Sequence, residues 1–76
     1  MIKFLIINGR FVVPMHKIQE IRQCRLVDQG EGTSIYSEGD INHFVKMELI
    51  EVIKQIHRFQ RASDATYWFL KDGDGA

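Results

Sequence analysis

The 76-residue chain has a single cysteine, a single proline, no excess of either charge and no long apolar run. Each absence excludes something. Cys24 alone can close no disulfide, and small secreted domains normally lean on several, so a reducing, cytoplasmic setting is expected. Ten basic residues balance ten acidic ones. Without a net positive field, bulk adhesion to nucleic acid or an anionic membrane is disfavoured, although a local basic face is not. The apolar opening around Phe4-Leu5-Ile6-Ile7 stops at Asn8-Gly9-Arg10, too short for the apolar region of a signal peptide. Nothing approaches the roughly 18 apolar residues of a membrane span. Internal repeats and low-complexity linkers are absent as well.

What is present is globular. Hydrophobic residues make up 45% of the chain, which argues against disorder. A chain this short buries only about 60% of its unfolded surface, so its stability is expected to be modest. Residues 1–71 are read as one domain and residues 72–76 as a frayed tail.

Ile2 to Ile7 is rich in β-branched and aromatic residues, as a buried strand should be. Asn8-Gly9 predicts a tight two-residue turn, because both residues tolerate positive φ, and Arg10 to Val13 is the returning strand. Pro14 ends it by withdrawing a ladder donor. In Met15 to Val27, Met15, Ile18, Ile21 and Cys24 recur every third residue, which leans helical. The turn chemistry at Pro14-Met15-His16 also suits a bent strand, and a strand over Ile18 to Val27 is favoured. Asp28 to Gly32 is a loop, Thr33 to Ser37 a short strand, Glu38-Gly39-Asp40 a turn and Ile41 to Val45 its hairpin partner. A helix is predicted from about Met47 to Gln60. Leu49, Val52, Ile53, Ile56 and Phe59 share the face expected to meet the sheet. Glu48 and Glu51 open the helix while His57, Arg58 and Arg61 close it, the order that suits its dipole. Thr66 to Leu70 is a last strand or a docked aromatic plug. The expected fold is α+β: an antiparallel sheet of four or five strands with one amphipathic helix packed on a face.

The order of these signals resembles small flagellar and swarming-motility proteins of the FlbD type. The residues that carry the likeness are Asn8-Gly9, the run Val13-Pro14-Met15-His16-Lys17-Ile18, Thr33-Ser34-Ile35-Tyr36 and the Leu49-Ile50-Glu51-Val52-Ile53 helix. The same run is similar to the first part of LytTR-type DNA-binding domains, a resemblance that implies nucleic-acid binding. That family follows its helix with Phe-x-Arg-x-His-Arg-Ser, where this chain has Phe59-Gln60-Arg61-Ala62-Ser63 and lacks the His-Arg pair.

No pattern marks an enzyme, a metal site or a cofactor site. Cys24 has no flanking signature of a nucleophile and reads as a half-buried strand cysteine. His16, His43 and His57 lack ligand spacing. Gly30-Glu31-Gly32 is followed by no Lys-Ser/Thr, and Asp72-Gly73-Asp74-Gly75 lacks the closing glutamate of a calcium loop. Two features carry more. Lys54, His57, Arg58 and Arg61 cluster near the helix end, either as a site for phosphate or as the cations a helix C-terminus favours. Tyr67, Trp68 and Phe69 are adjacent, and neighbours on a strand point to opposite sides, so the run is buried on both faces or exposes a large ring. The expected function is a small non-enzymatic protein-binding module, a regulator or an inhibitor that occludes a larger partner. Tyr67, Trp68 and Phe69 would be its contact residues, and a second copy is one candidate partner. The alternative is a nucleic-acid-binding transcriptional regulator using Lys54, His57, Arg58 and Arg61.

Overall fold

The computed structural model describes residues 2–73. Along them run β1 (Phe4–Ile7), β2 (Phe11–Pro14), a 3-10 turn (Met15–Lys17), β3 (Ile18–Leu26), β4 (Gly30–Ser37), β5 (Ile41–Val45), α1 (Leu49–Arg61) and β6 (Tyr67–Leu70). The class is α+β with one helix. In place of the single sheet expected, the strands form two sheets of three, ordered β2-β1-β6 and β3-β4-β5.

Pro14 explains the division. It closes β2 opposite Phe4, and the 3-10 turn that follows swings the chain out of the ladder, so β3 pairs with β4 instead of β2. The free edge of β1 is then taken by β6, which runs parallel to it after the helical crossover. Within the first hairpin, Asn8 and Gly9 have φ of 53° and 65°, and the Arg10 N–H donates to the Ile7 carbonyl at 3.1 Å. The ladder resumes with Ile7 opposite Phe11, so the loop holds Arg10 as a third residue beyond the two expected.

One step of the three-residue period in Met15 to Cys24, from Ile18 to Ile21, has a structural cause. A register shift between Ile18 and Glu20 inserts an extra residue in β3. Ile18 and Ile21, three apart, therefore stand opposite Ser37 and Ile35 on one face of the sheet. The strand favoured for this segment is the one found, Ile18–Leu26, and its helical-looking step comes from the bulge.

The core lies between the sheets and α1. Leu5, Ile7 and Val13 enter from one sheet, Ile35 and Val45 from the other, and Val52, Ile56 and Phe59 from the helix. Ile53 departs from expectation: it is 46% exposed, while Leu49 is half-buried. At about 100° per residue, Ile53 stands a quarter-turn beyond Val52, on the side away from Phe59. Two small sheets grip a narrower stripe than the five apolar residues suggest.

Lys3 closes the helix. Its Nζ donates to the carbonyls of Phe59 at 2.5 Å and Ala62 at 2.6 Å and lies 4.9 Å from the Phe59 ring centroid. One cation thus gives a second donor to carbonyls that already accept from the Ala62 and Ala65 N–H groups, and complements the helix dipole. At the other end of the chain, the tail expected to fray begins anchored. Asp72 Oδ1 accepts from the Lys46 N–H at 2.8 Å, the Asp72 N–H donates to Asn8 Oδ1 at 2.8 Å, and the Gly73 N–H donates to the Lys46 carbonyl at 2.8 Å. The remainder of that expected tail, residues 74–76, lies outside the described residues.

Candidate functional site

Strand alternation divides the aromatic run. Trp68 and Leu70 turn toward the helix, and Tyr67 and Phe69 turn away from it. The Trp68 indole N–H donates to Gln55 Oε1 at 2.7 Å, and its ring lies 5.6 Å from that of Phe59. Trp68, expected at a contact surface together with its neighbours, is thus a half-buried residue bound to α1. Tyr67 and Phe69 are 56% and 55% exposed.

Register then shows what those two rings stand beside. Phe4 pairs with Tyr67 and with Pro14, and Ile6 pairs with Phe69 and with Val12. The outer face of the sheet is therefore Phe4, Ile6, Val12, Pro14, Tyr67 and Phe69, with the Tyr67 hydroxyl its one polar side-chain group. The Phe4 and Tyr67 rings stack at 5.7 Å. α1 meets the other face of this sheet at β6.

β6 also leaves a backbone edge open. The Phe4 N–H donates to the Thr66 carbonyl at 2.9 Å and the Asn8 N–H to the Leu70 carbonyl at 2.7 Å. A parallel ladder of that phase uses the even-numbered residues of β6, so the N–H and C=O of Tyr67 and Phe69 point away from β1. No strand lies on that side in the sheet order.

The basic group lies elsewhere. Lys54, His57, Arg58 and Arg61 are all exposed on α1, with Ile50 and Ile53 also exposed toward its start. No salt bridge engages these cations among the described residues. Lys54, His57 and Arg61 fall on the side of the helix opposite the core stripe, with Arg58 turned toward β6.

Sequence reasoning missed a third constellation. Ser37 Oγ and His43 Nε2 are 3.1 Å apart and buried, and the Phe11 ring meets the imidazole edge-on at 5.5 Å. The β4–β5 register sets Ser37 and His43 diagonally on one face, a relation that only the turn length could have revealed. Burial lowers the His43 pKa from its ordinary value, which keeps the ring neutral. Val12, Pro14, Lys17, Glu38 and Ile41 complete a groove of about 490 Å³ beside the pair. At its rim Lys17 Nζ meets Glu38 Oε2 at 2.8 Å, and that hydrogen bond holds the Glu38 carboxyl below its usual range. A serine on a neutral histidine is a nucleophile–base contact. Catalysis also needs an orienting group on the second ring nitrogen, and no side-chain bond to that nitrogen is made among the described residues. The pair's evident role is to satisfy two buried polar groups where the sheets meet.

Among the described residues no three His, Cys, Asp or Glu side chains stand together to hold a metal ion, and no helix is long and apolar enough to cross a membrane. The chain matches no family model, no curated protein and no solved structure.

Proposed function

We propose that the chain is a small cytoplasmic protein-binding module without catalytic activity. It acts as a regulator or as an inhibitor that occludes a larger partner, and its contact surface is the outer face and open edge of β6. One observation carries this reading: Tyr67 and Phe69 stand more than half exposed on an edge strand, within an uncharged, largely apolar sheet face. Aromatic side chains present 150–250 Å² each, so these two rings alone hold on the order of 200 Å² of apolar surface in water. Contiguous patches of a few hundred Å² on a small protein mark interaction sites. Exposed aromatics beside an unpaired backbone edge suit a partner that adds a strand and lays apolar side chains on the extended face.

Tyr67→Glu/Phe69→Glu tests the reading, because both side chains leave the core untouched. Partners captured by the wild-type chain from its native host and identified by mass spectrometry should be lost with the double variant, at unchanged circular dichroism. Capture of the same proteins by both would place the contact surface elsewhere.

A further inference from the structure

The proposed binding edge has a shape that fits itself. We infer that β6 pairs antiparallel with β6 of a second copy about a twofold axis at Trp68, joining two three-stranded sheets into one of six strands. This rests on the reading of β6 as the contact surface and names its partner.

Register decides the geometry. Residues that face each other across an antiparallel ladder share a sheet face, so Tyr67 and Phe69 must oppose each other or themselves. Both carry backbone groups that point to the open edge. Placing Tyr67 opposite the partner's Phe69 makes a hydrogen-bonded pair, which exchanges both N–H···O bonds, and the symmetric pair repeats it. Trp68 then meets the partner's Trp68 at the close, non-hydrogen-bonded position on the helix side. That contact covers the part of Trp68 which Phe59 and Gln55 leave exposed. Every open backbone group of Tyr67 and Phe69 is satisfied in this one register.

The helix flank above the axis is charged in the complementary sense. Gln55 sits over Trp68, and its Nε2 also donates to Glu51 Oε1 at 3.2 Å, which fixes Glu51 on the β6 side of α1. Arg58 projects from the same flank, one turn beyond Gln55, exposed and without a carboxylate partner among the described residues. A twofold axis through Trp68 sets the two helices antiparallel, so Glu51 lies toward the partner's Arg58 and the relation is repeated by symmetry. The chain's formal net charge of zero adds no repulsion between copies.

The β2 and β3 edges are guarded and β6 is not. β2 ends in Pro14, and β3 carries a bulge with Glu20, Arg22 and Arg25 along it. Tyr67-Trp68-Phe69-Leu70 has no proline, charge or bulge.

Sedimentation equilibrium of the full chain, with circular dichroism as a check on folding, tests the dimer. The wild type should be a concentration-dependent dimer. Arg58→Glu, which sets two acids against each other at both ends, should weaken it by about tenfold or more. Glu51→Arg/Arg58→Glu restores opposite charges and should recover affinity to within about threefold of wild type. Phe69→Pro removes an outward N–H that β1 does not use and should abolish dimerisation at wild-type ellipticity. A wild type that stays monomeric at several hundred micromolar overturns the inference, and so does a dimer indifferent to both charge variants. In the monomeric case the capture experiment with Tyr67→Glu/Phe69→Glu decides separately whether a different chain takes the edge.

Discussion

Both sheets face the core, although β3-β4-β5 also buries Thr33, Ser37 and His43 there, and they treat their outer faces in opposite ways. On the outside of β3-β4-β5, apolar groups are covered locally. The Arg22 guanidinium lies 5.0 Å over the Tyr36 ring, Glu20 meets Arg22 at 3.5 Å, and Phe44 lies on the backbone of Gly32. Tyr36, Phe44, Cys24 and Leu26 are each only partly exposed as a result. The outside of β2-β1-β6 has no charged side chain to cover its rings, and Val12 is 59% exposed beside Tyr67 and Phe69. Long polar side chains folded back over apolar neighbours make the difference, and where they are missing the surface is left for another chain.

The comparison breaks most visibly at Gly32. A Cβ there would stand 2.5 Å from the Val45 carbonyl oxygen and 2.6 Å from Phe44 Cζ, so Gly32→Ala must lift Phe44 off the sheet and strain β5. Such overpacking typically costs about 1–3 kcal/mol. The counterpart on the bare sheet is Phe69→Thr, which removes a ring more than half exposed and puts a β-branched strand former in its place. Its cost should stay under about 0.5 kcal/mol, as for surface changes generally. Urea denaturation of both variants checks the contrast. Equal losses would mean that the two outer faces support the fold alike.

Much of the fold could be read from local chemistry. The Asn8-Gly9 turn, the Glu38-Gly39-Asp40 turn and the helix follow from positive-φ residues and apolar spacing, which act within a few residues. The division into two sheets could not be read this way. It depends on where the chain goes after Pro14 and on β6 returning beside β1, across more than sixty residues of sequence. The same limit applied to the site. The sequence required that adjacent Tyr67, Trp68 and Phe69 point to alternate sides, but which side meets α1 is set by the pairing of Leu5 with Trp68. Ile53 was misassigned because periodicity gives the direction of an apolar stripe and not the width of the surface that receives it. Lys3 as a helix cap and the Ser37–His43 contact both join residues whose partners only the tertiary fold selects.

A smaller effect probes the seam between the sheets. His43 carries a pKa lowered by burial, so the folded state resists protonation while the unfolded chain takes a proton near the ordinary value of 6.5. The sign follows: the unfolded state binds more protons below that value. The stabilisation from neutral His43 is complete above about pH 6.5 and is lost as pH falls through the lower folded pKa. A protonated ring can also no longer accept a hydrogen bond from the Ser37 hydroxyl at Nε2. Urea midpoints should therefore fall between pH 7.5 and 5.5 in the wild type, and fall less in His43→Gln. An identical slope in the two would show that the pH dependence does not arise at His43.

A last contrast lies at Ser34, and it bears on how the covered face is built. Ser34 is fully buried beneath the outer side chains of β3-β4-β5, and its Oγ has no hydrogen-bond partner. Its neighbour Thr33 is as deeply buried on the opposite face, but its Oγ1 donates to the Met47 carbonyl at 2.8 Å. Burying a hydroxyl without a partner costs desolvation and returns nothing, so replacing it with an apolar group of similar size is close to neutral or stabilising. Ser34→Ala should leave the urea midpoint unchanged or raise stability by up to about 1 kcal/mol. Thr33→Val, which deprives a buried carbonyl of its donor, should lower it by about 1–3 kcal/mol. The adjacent pair is its own control, since both changes fall on the same strand at the same depth. A loss at Ser34 as large as that at Thr33 would show that the Ser34 hydroxyl is satisfied in solution. The cover of Arg22, Tyr36 and Phe44 would then be looser than it looks, and the two outer faces less different.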